Sequence, residues 1–443
     1  TSTSAKGNWV TTRSNGKVSD VHVANKNMDI HHGLNGSRSV SVKRADGSRV
    51  VATRGGHGYV ERGYGYHGHD YARRSYYNHG RYYNGYYRGY YYHGVYGYAY
   101  APAFYYGPAY YGWAYNPWPA PIVYAGWGWA GNPWYGYYGG WWNPYPVYAG
   151  ASFWLTDYLI AQSLQASYQE NQAAAAAVST QAAMTPEVKQ MISDEVKRQV
   201  ALENTEAQQT ATKQDIDPAS SGIGRMLSDN QTHVFIAGSS LDVTDSSGAE
   251  CAVSQGDVLE VTAAPPANAT AATATVLCSK GGNECGKNAQ VQIAFADLQE
   301  MQNHMRETID QGLGDLQSKQ GQGGLPVAPP SAKAPPTQAA FVAAAPPPEQ
   351  NVAADIKQES QHADQAEQEV ANEVPPPNPA AQGPSTPAPN SGGPVTVSQG
   401  QTVDQVTATL GQPKSVVNLG TKKIYVYPDM KVTFKNGTVS DVQ

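Results

Sequence analysis

The first 62 residues alternate apolar and polar side chains in short runs, and turn-forming dipeptides separate the runs. In RSVSVKR, Val40 and Val42 share one face while serines occupy the other, which is the two-residue period of a half-buried strand. The dipeptides supply the positive φ angles of tight hairpin turns, and they are Asn15-Gly16, Asn35-Gly36 and Asp46-Gly47. The pattern predicts a β-hairpin module over residues 1–62.

A helical period replaces this alternation in the middle of the chain. Apolar residues recur every three or four positions within residues 152–177. A clearer stripe follows Thr185, a good N-cap, and Pro186, which suits the first helical position. The members of this stripe are Val188, Ile192, Val196 and Val200. We predict a helical segment over residues 152–215, either a helical hairpin or a short coiled coil, that would oligomerise the chain.

Strand-like runs return between residues 230 and 300, where turn-rich loops separate them. A helical stretch then places five apolar residues on one face, namely Leu298, Met301, Met305, Ile309 and Leu313. Residues 230–318 are therefore predicted to form a small all-β module, a barrel or a sandwich, with a closing helix.

Residues 63–151 show neither period, because tyrosine and tryptophan dominate them. Residues 59–148 hold 27 of the 31 tyrosines, and residues 113–154 hold eight of the nine tryptophans. From Gly89 to Thr156 there is no Asp, Glu, Lys or Arg. A membrane-spanning helix needs ~20 apolar residues, but the prolines that recur here would break it. The pattern predicts a loop-rich aromatic region.

The C-terminal part contains a low-complexity stretch and a last folded piece. Residues 319–394 are rich in Pro, Ala and Gln, which is typical of a disordered linker that leans towards extended polyproline II. Within it, residues 349–373 carry seven acidic residues and one lysine, which indicates a transient solvated helix. Residues 395–443 predict a short helix, a Gly-x-Pro turn and three strands, a small α+β module. The fold class expected for the whole chain is mixed and multi-module.

Composition and charge restrict the size of the modules and mark one end of the chain as basic. The 443 residues include 45 glycines and 30 prolines, and the mean hydropathy is −0.52, so we expect small folded modules joined by irregular segments. Residues 1–93 carry 14 Lys and Arg against 5 Asp and Glu, whereas residues 94–443 carry 16 against 31. Such asymmetry is typical of an interaction arm at one end.

The three cysteines form no Cys-x-x-Cys motif, so the signatures of a zinc ribbon, a redox dithiol and haem attachment are missing. In an oxidising compartment one disulfide and one leftover thiol are expected. Cys278 alternates with Val276 inside a strand and is predicted to face the core. We favour a Cys251–Cys285 disulfide, with Cys278–Cys285 as the alternative.

Two resemblances bear on the location of the protein. Residues 395–443 carry Gly400 and Thr402 before a helix with Val403, Val406 and Leu410, then Gly411, Pro413, the strand IYVYPD, the run KVTFKNG and a terminal VSDV. In these features the module resembles the SmpA/OmlA outer-membrane lipoprotein family. The resemblance implies a cell-envelope protein whose C-terminal module docks on other proteins. Through NPWYGYYGG, NPYPVY and FWLTDYLI, the remainder resembles uncharacterised exported bacterial proteins rich in Tyr, Trp and Gly.

These resemblances imply an exported protein of the periplasm, the outer membrane or the cell surface. The chain begins at Thr1 rather than Met, which suits removal of a signal peptide or shortening of the chain.

The common motifs of catalytic sites do not occur in the sequence. No GxSxG, P-loop, HExxH or strand-linked GxGxxG occurs, and paired carboxylates occur only in the acidic part of the linker. We therefore predict no enzymatic activity and no cofactor.

Two alternatives rest on side chains that lie among the tyrosines. His67, His69, His79 and His93 could bind Cu(II), Ni(II) or Zn(II), although a fixed metal site needs four oriented ligands. Four arginines interleaved with tyrosines match the charge-plus-stacking arrangement that binds single-stranded nucleic acid, and they are Arg73, Arg74, Arg81 and Arg88. An exported protein would not meet nucleic acid routinely.

The aromatic side chains themselves carry the leading functional hypothesis. Tyr and Trp offer large apolar faces with polar tips, so many weak contacts become available in parallel. We predict a cohesive region that adheres to glycans, envelope proteins or the membrane interface, or that assembles copies of the chain. The candidate residues are Tyr82, Tyr83, Tyr86, Tyr87, Tyr90, Tyr91, Trp113, Trp118, Trp127, Trp129, Trp134, Trp141 and Trp142.

Overall fold

The computed structural model describes residues 1–78, 80–170, 183–373, 406, 415–419, 422–426, 431–435 and 438–442. The chain divides into two compact units, Thr1–Asn378 and Pro379–Gln443. It is a mixed α/β protein with several sheets.

A ten-stranded antiparallel sheet forms the N-terminal part of the first unit, and its strands are neighbours in chain order. The predicted Asn-Gly and Asp-Gly dipeptides lie in its hairpin turns, where Gly16, Gly36 and Gly47 have φ angles of 80°, 81° and 82°. The strands are β1 (Ser2–Thr3), β2 (Trp9–Thr12), β3 (Val18–Val23), β4 (Met28–His32), β5 (Arg38–Lys43), β6 (Arg49–Thr53), β7 (His57–Tyr66), β8 (His69–Asn78), β9 (Arg81–Tyr92) and β10 (Val95–Tyr100).

The sheet continues far into the segment that was predicted to be loop-rich, and that prediction is wrong for residues 63–100. The boundary expected after residue 62 falls inside β7. Tyrosine is a good strand former because its ring packs against cross-strand neighbours on the pleated surface. Tyr76 and Tyr83, which lie directly opposite each other, stack with ring centroids 4.7 Å apart.

Short elements follow the sheet and lead into two long helices. They are β11 (Phe104–Tyr105), α1 (Pro108–Tyr115), β12 (Pro117–Ile122), α2 (Pro133–Tyr138), β13 (Tyr148–Gly150), α3 (Ala151–Glu170), α4 (Pro186–Ala211) and α5 (Ile223–Ser228). Both long helices were predicted, and the Thr185 side chain caps α4 by accepting from the Val188 N–H at 3.4 Å. Residues 171–177 of the first predicted helix lie outside the described residues.

The apolar stripe of α4 is not available for oligomerisation. Its four members are all buried within the first unit, and Ile192 and Val196 are 0% exposed. They pack with α3 in the aromatic cluster described below, so the expectation of an intermolecular coiled coil is wrong for these residues. A stripe of this kind does not reveal from the sequence whether its partner lies in the same chain.

A six-stranded antiparallel sheet and a long helix complete the predicted residues 230–318. The sheet order is β14-β17-β18-β19-β15-β16, and the helix α6 buries all five apolar residues predicted for its inner face. The elements are β14 (His233–Ile236), β15 (Leu241–Asp245), β16 (Glu250–Val253), β17 (Val258–Val261), β18 (Ala271–Cys278), β19 (Gln290–Ala294) and α6 (Phe295–Ser318).

Residues 319–373 are not a linker, which corrects the prediction for this part of 319–394. They contain β20 (Thr337–Gln338), which pairs with β11, and the helices α7 (Ala340–Ala344) and α8 (Val352–Glu373). The helix α8 is ordered because its small apolar face is buried against the valines of the N-terminal sheet. That face consists of Val352, Ile356, Ala363, Ala366 and Val370. Residues 374–394 lie outside the described part of the chain.

The second unit contains a four-stranded antiparallel meander where three strands were predicted. Its strands are β21 (Ser415–Leu419), β22 (Lys422–Val426), β23 (Lys431–Lys435) and β24 (Thr438–Val442). The additional strand, β21, was overlooked because only its pairing with β22 identifies it. Val406 is helical and buried, and the rest of the predicted helix is outside the described residues.

Candidate functional site

Few of the predicted interaction residues are exposed on the surface of the first unit. Six of the thirteen are buried, namely Tyr87, Tyr90, Trp118, Trp134, Trp141 and Trp142. Five are half-buried, namely Tyr83, Tyr86, Trp113, Trp127 and Trp129. Only Tyr82 and Tyr91 are exposed, at 61% and 70%. The exposed cohesive surface expected from the sequence is therefore reduced to these two tyrosines, because the other rings pack against each other and the helices.

The buried rings form an aromatic cluster around the start of α3. Trp127 lies between Trp129 and Trp154, with stacked ring centroids 4.1 Å and 4.6 Å away. Trp154 also stacks on Tyr158 at 5.4 Å and is 0% exposed. Offset stacking of this kind adds about 0.5–1.5 kcal/mol per pair to the gain from burial.

Aromatic burial brings polar groups into the interior, and Asp157 on α3 accepts hydrogen bonds from one phenol hydroxyl and one backbone N–H. The Tyr148 hydroxyl and the Tyr145 N–H donate to one carboxylate oxygen at 2.9 Å and 2.6 Å. Lys189 on α4 lies 2.8 Å from the other oxygen. Burial raises the pKa of Asp157, and the charge of Lys189 opposes that rise. The pair thus keeps a charge inside a core of rings.

A second polar cluster joins the sheet to α4 and α6. Glu206 holds Arg306 at 3.0 Å and Arg88 at 3.3 Å, and both arginine side chains are buried. Burial acts to raise the pKa of Glu206, but Arg306 and Arg88 outweigh it and leave the pKa lowered. The hydroxyl of Tyr105 lies 2.7 Å from Arg88 and donates to Glu206 at 3.2 Å.

Three further carboxyl groups on α4 and α6 accept phenol hydroxyls. Tyr111 donates to Glu203 at 2.7 Å, Tyr100 to Asp310 at 2.7 Å, and Tyr87 to Glu307 at 3.1 Å. Burial raises the pKa of Glu307 to about 7 and that of Asp310 to about 6, and it also raises the pKa of Glu203. Perturbed carboxyl groups often mark active sites, but these are committed to the hydroxyl groups of the core. Their arrangement is structural.

The histidines proposed as metal ligands have separate partners. His67 Nδ1 lies 2.8 Å from Asp215 and its ring stacks on Tyr66, whereas His93 Nδ1 lies 3.1 Å from the Ala269 carbonyl oxygen. His69 begins β8, and His79 lies outside the described residues. Among the residues that the structure describes, no group of three or more His, Cys, Asp or Glu is placed to hold a metal ion.

The structure joins Cys251 to Cys285, the pairing favoured from the sequence, and leaves Cys278 as a buried thiol. The Cys251 end of the bridge lies at the wall of an open cleft of about 860 Å³, which we call the turn-edge cleft.

One wall of the turn-edge cleft consists of hairpin turns from a single edge of the ten-stranded sheet. These turns lie within residues 13–18 and 32–38, and Arg54 extends the wall. The other wall consists of Glu250, Cys251 and residues 282–284 of the six-stranded sheet and its loops. Because strands in a meander alternate in direction, every second turn lies at the same edge.

Hydrogen bonds fix the two walls to each other. The Leu34 N–H donates to Asp242 at 3.0 Å, and the Asn283 amide donates to the Leu34 carbonyl oxygen at 2.9 Å. Arg13 forms ion pairs with Asp242 and, at 3.3 Å, with Glu250 across the cleft. The cleft is therefore preformed and does not depend on a ligand for its shape.

The cleft wall is rich in cations, and two of them are free to meet a ligand. Arg13 is neutralised as described, and Arg38 lies 3.0 Å from Asp364 of α8. Lys17 and Arg54 are exposed, and neither lies within ion-pair distance of a carboxylate of the described residues. Arg54 instead donates to the Gly36 carbonyl oxygen at 2.7 Å, which places its guanidinium group at the second turn.

The sequence predicted some residues of this cleft as turn or disulfide residues, but it did not predict that Lys17, Arg54 and the facing wall form one site. Two signals were present, namely the basic excess of residues 1–93 and the Asn-Gly turns at residues 15–16 and 35–36. Neither signal reveals that alternate turns share an edge until the strands are known to be neighbours in order. The opposite wall, more than 200 residues away in the chain, has no local signal at all.

Comparisons with protein-family models, curated proteins and solved structures find no match to this chain. None of the helices in the described ranges combines the length and the apolar character required to cross a bilayer.

Proposed function

We propose that this chain is a non-enzymatic, exported cell-envelope protein that acts by binding. In this proposal the aromatic residues build a rigid body, and the turn-edge cleft is the principal contact surface. The second unit docks on envelope partners, as its resemblance to the SmpA/OmlA family implies. Tyr82 and Tyr91 remain as a small aromatic contribution to adhesion or self-association.

The observation that carries this proposal is the Cys251–Cys285 disulfide at the cleft wall. Disulfides form and persist in oxidising compartments and are rare in the cytosol. The bridge closes a chain separation of 34 residues and ties the Cys251 strand to the loop that forms the same wall. A bridge in this position rigidifies the contact surface, which lowers the entropy lost on binding.

The size and polarity of the cleft support a binding role. Ligand sites in proteins typically occupy about 300–1,000 Å³, and the turn-edge cleft falls within that range. Its polar lining contains no arrangement of nucleophile, base and orienting acid among the described residues that line it.

Thiol trapping on the native protein tests the proposal. Cell fractions are alkylated in denaturant with a mass-tagged maleimide, first without and then with prior reduction. We expect recovery in the envelope or periplasmic fraction with one reactive thiol before reduction and three after it. A Cys278→Ser variant serves as the control, because it should then show no reactive thiol before reduction. Cytoplasmic recovery with three reactive thiols would contradict the proposal.

A further inference from the structure

We propose that the turn-edge cleft binds a linear acidic glycan whose carboxylates pair with Lys17 and Arg54. This inference rests on the proposed binding function and names its ligand class. It starts from the positions of the two cations that no carboxylate of the described residues neutralises.

The two cations are set apart by the geometry of the sheet. Lys17 lies at the turn between β2 and β3, and the Arg54 guanidinium lies at the turn between β4 and β5. A Cβ atom added to Gly36 in that second turn would lie 3.4 Å from Arg54 Nη1. Two strand spacings of about 4.8 Å separate these turns, so the two turns at which the cations lie are about 10 Å apart along the sheet edge.

This separation favours a ligand with widely spaced negative charges. Phosphates in a nucleic acid strand follow each other every ~3.4 Å along the helix axis. Acidic side chains on one face of an extended peptide repeat every ~7 Å, since each residue advances ~3.4 Å. A glycan with one carboxylate on every second sugar spaces its charges more widely than either, so it can meet both cations without an unpaired charge between them.

The remaining lining favours sugar hydroxyl groups. Asn15, Ser37 and Asn283 offer donors and acceptors along the cleft. None of the described lining residues is Phe, Tyr or Trp. Proteins that hold single-stranded nucleic acids rely on aromatic rings for stacking, so this cleft lacks their main source of affinity. Charge pairing and hydrogen bonding must supply the affinity here, which excludes a neutral sugar as the preferred ligand.

Binding of the full-length chain to labelled hyaluronan oligosaccharides tests the proposal. Hyaluronan carries one carboxylate on every second sugar, and its carboxyl-reduced form is the matched neutral ligand. The comparison ligands are oligo-dT and poly-glutamate. We expect anisotropy to report binding of hyaluronan at low salt, weakening as salt rises, with little binding of the reduced form. Equal or tighter binding of oligo-dT or poly-glutamate would overturn the assignment of a glycan.

Charge reversal at the two cations locates the site. The double variant Lys17→Glu/Arg54→Glu should weaken hyaluronan binding by about 30-fold, since two attractions become repulsions. The matched control is Lys43→Glu/Lys333→Glu, which changes the net charge equally at two exposed positions outside the cleft. Circular dichroism checks that both variants fold. Equal losses in both double variants, or no loss in the first, would overturn the proposal.

The outcomes separate this inference from the proposed function. An envelope protein with an intact disulfide that does not bind hyaluronan contradicts the glycan assignment alone. Cytoplasmic recovery contradicts the proposed function whatever the binding assay gives.

Discussion

The valine-rich part of the sheet under α8 and the aromatic cluster around α3 bury apolar surface by different means. Under α8 the buried apolar groups are aliphatic, such as Val40 and Ile356, and their side chains carry no polar atoms. Arg44 pairs with Asp355 at 3.2 Å and with Glu359, a buried residue of α8, at 2.9 Å. Burial of aliphatic surface is the main contribution to stability in this part of the fold.

The aromatic cluster carries a further requirement. Each tyrosine or tryptophan that it buries takes a hydroxyl or an N–H out of water, and several of the tyrosine hydroxyls donate to carboxyl groups. The segment from Gly89 to Thr156 contains no Asp, Glu, Lys or Arg, so the charged partners come from α3, α4 and α6. An uncharged aromatic stretch can therefore form an interior when distant helices supply its carboxylates.

The largest effect is expected from emptying the centre of the aromatic cluster. Trp154→Ala should lower the free energy of unfolding by about 3–5 kcal/mol, because it removes a fully buried ring and leaves a cavity. Urea unfolding followed by circular dichroism measures this. Tyr91→Ala, at a ring that is 70% exposed, should change stability by less than about 0.5 kcal/mol. Similar small effects in both variants would mean that the aromatic region is a surface.

Removing the cation of an ion pair should cost more stability in the aromatic cluster than under α8. Lys189→Met should cost about 3 kcal/mol, because it leaves the Asp157 carboxylate buried without its cation. Arg44→Met should cost less, about 1–2 kcal/mol, because Arg44 is 24% exposed and solvent reaches the pair that it forms with Asp355 and Glu359. Urea midpoints measure both. The double variant Lys189→Met/Asp157→Asn should recover part of the loss, and a double variant no better than Lys189→Met would contradict this account.

The packing of α8 can be tested at its most buried position. Ile356→Ala should destabilise the first unit by about 2–3 kcal/mol, at the lower end of the range for core truncations, because the helix covers one sheet. Limited proteolysis within residues 352–373 should become faster in this variant. Lys357→Ala, one residue further on and exposed, is the matched control. Rapid cleavage of the unchanged protein in this helix would restore the linker interpretation.

The smallest expected effect is a pH dependence of stability that arises from Glu307, a carboxyl group that accepts a hydrogen bond from a buried phenol. Burial raises the pKa of Glu307 to about 7, so the folded state favours its protonated form. The stability that this raised pKa contributes to the folded state is fully present below the ordinary carboxyl pKa. It is lost as the pH rises through about 7. Between about pH 4.5 and pH 7.5 the unchanged protein should therefore lose about 2 kcal/mol of unfolding free energy relative to Glu307→Gln, whose side chain does not titrate.

Urea unfolding at both pH values measures that difference. Glu369→Gln, at a carboxylate that is 65% exposed, should leave it unchanged. A relative stability of Glu307→Gln that is independent of pH would show that this carboxyl group titrates normally.

Much of the local structure could be predicted from the sequence. The hairpin turns at the Asn-Gly pairs, the N-cap Thr185 and the inner face of α6 follow from short-range rules that need no tertiary contact. The aromatic strands β8 and β9 were missed, because alternation is hidden when tyrosines occupy both faces. Helix α8 was missed as a packed element because its apolar face is narrow, with two alanines among its five residues, and lies in an acidic stretch.

The turn-edge cleft is the part of the structure that the sequence predicts least well. Lys17 and Arg54 lie in turns that look like ordinary solvated loops, and the wall that faces them comes from residues 250–284. The residues that attracted attention, the tyrosines and tryptophans, turned out to be mostly interior. Composition reports which side chains can be cohesive, but it does not report whether they contact the same chain or another molecule.

Short-range sequence patterns were enough to predict where the N-terminal hairpins turn, where two long helices begin and which faces of α4 and α6 are apolar. Tertiary structure alone decided that the aromatic stretch is a core, that α8 covers a sheet and that alternate turns border one cleft. The physical reason is that turns and caps are set by neighbouring residues, whereas burial depends on partners that are distant in the chain. A buried ring is stabilised further where such a partner satisfies its polar atom, as Asp157 does for the Tyr148 hydroxyl.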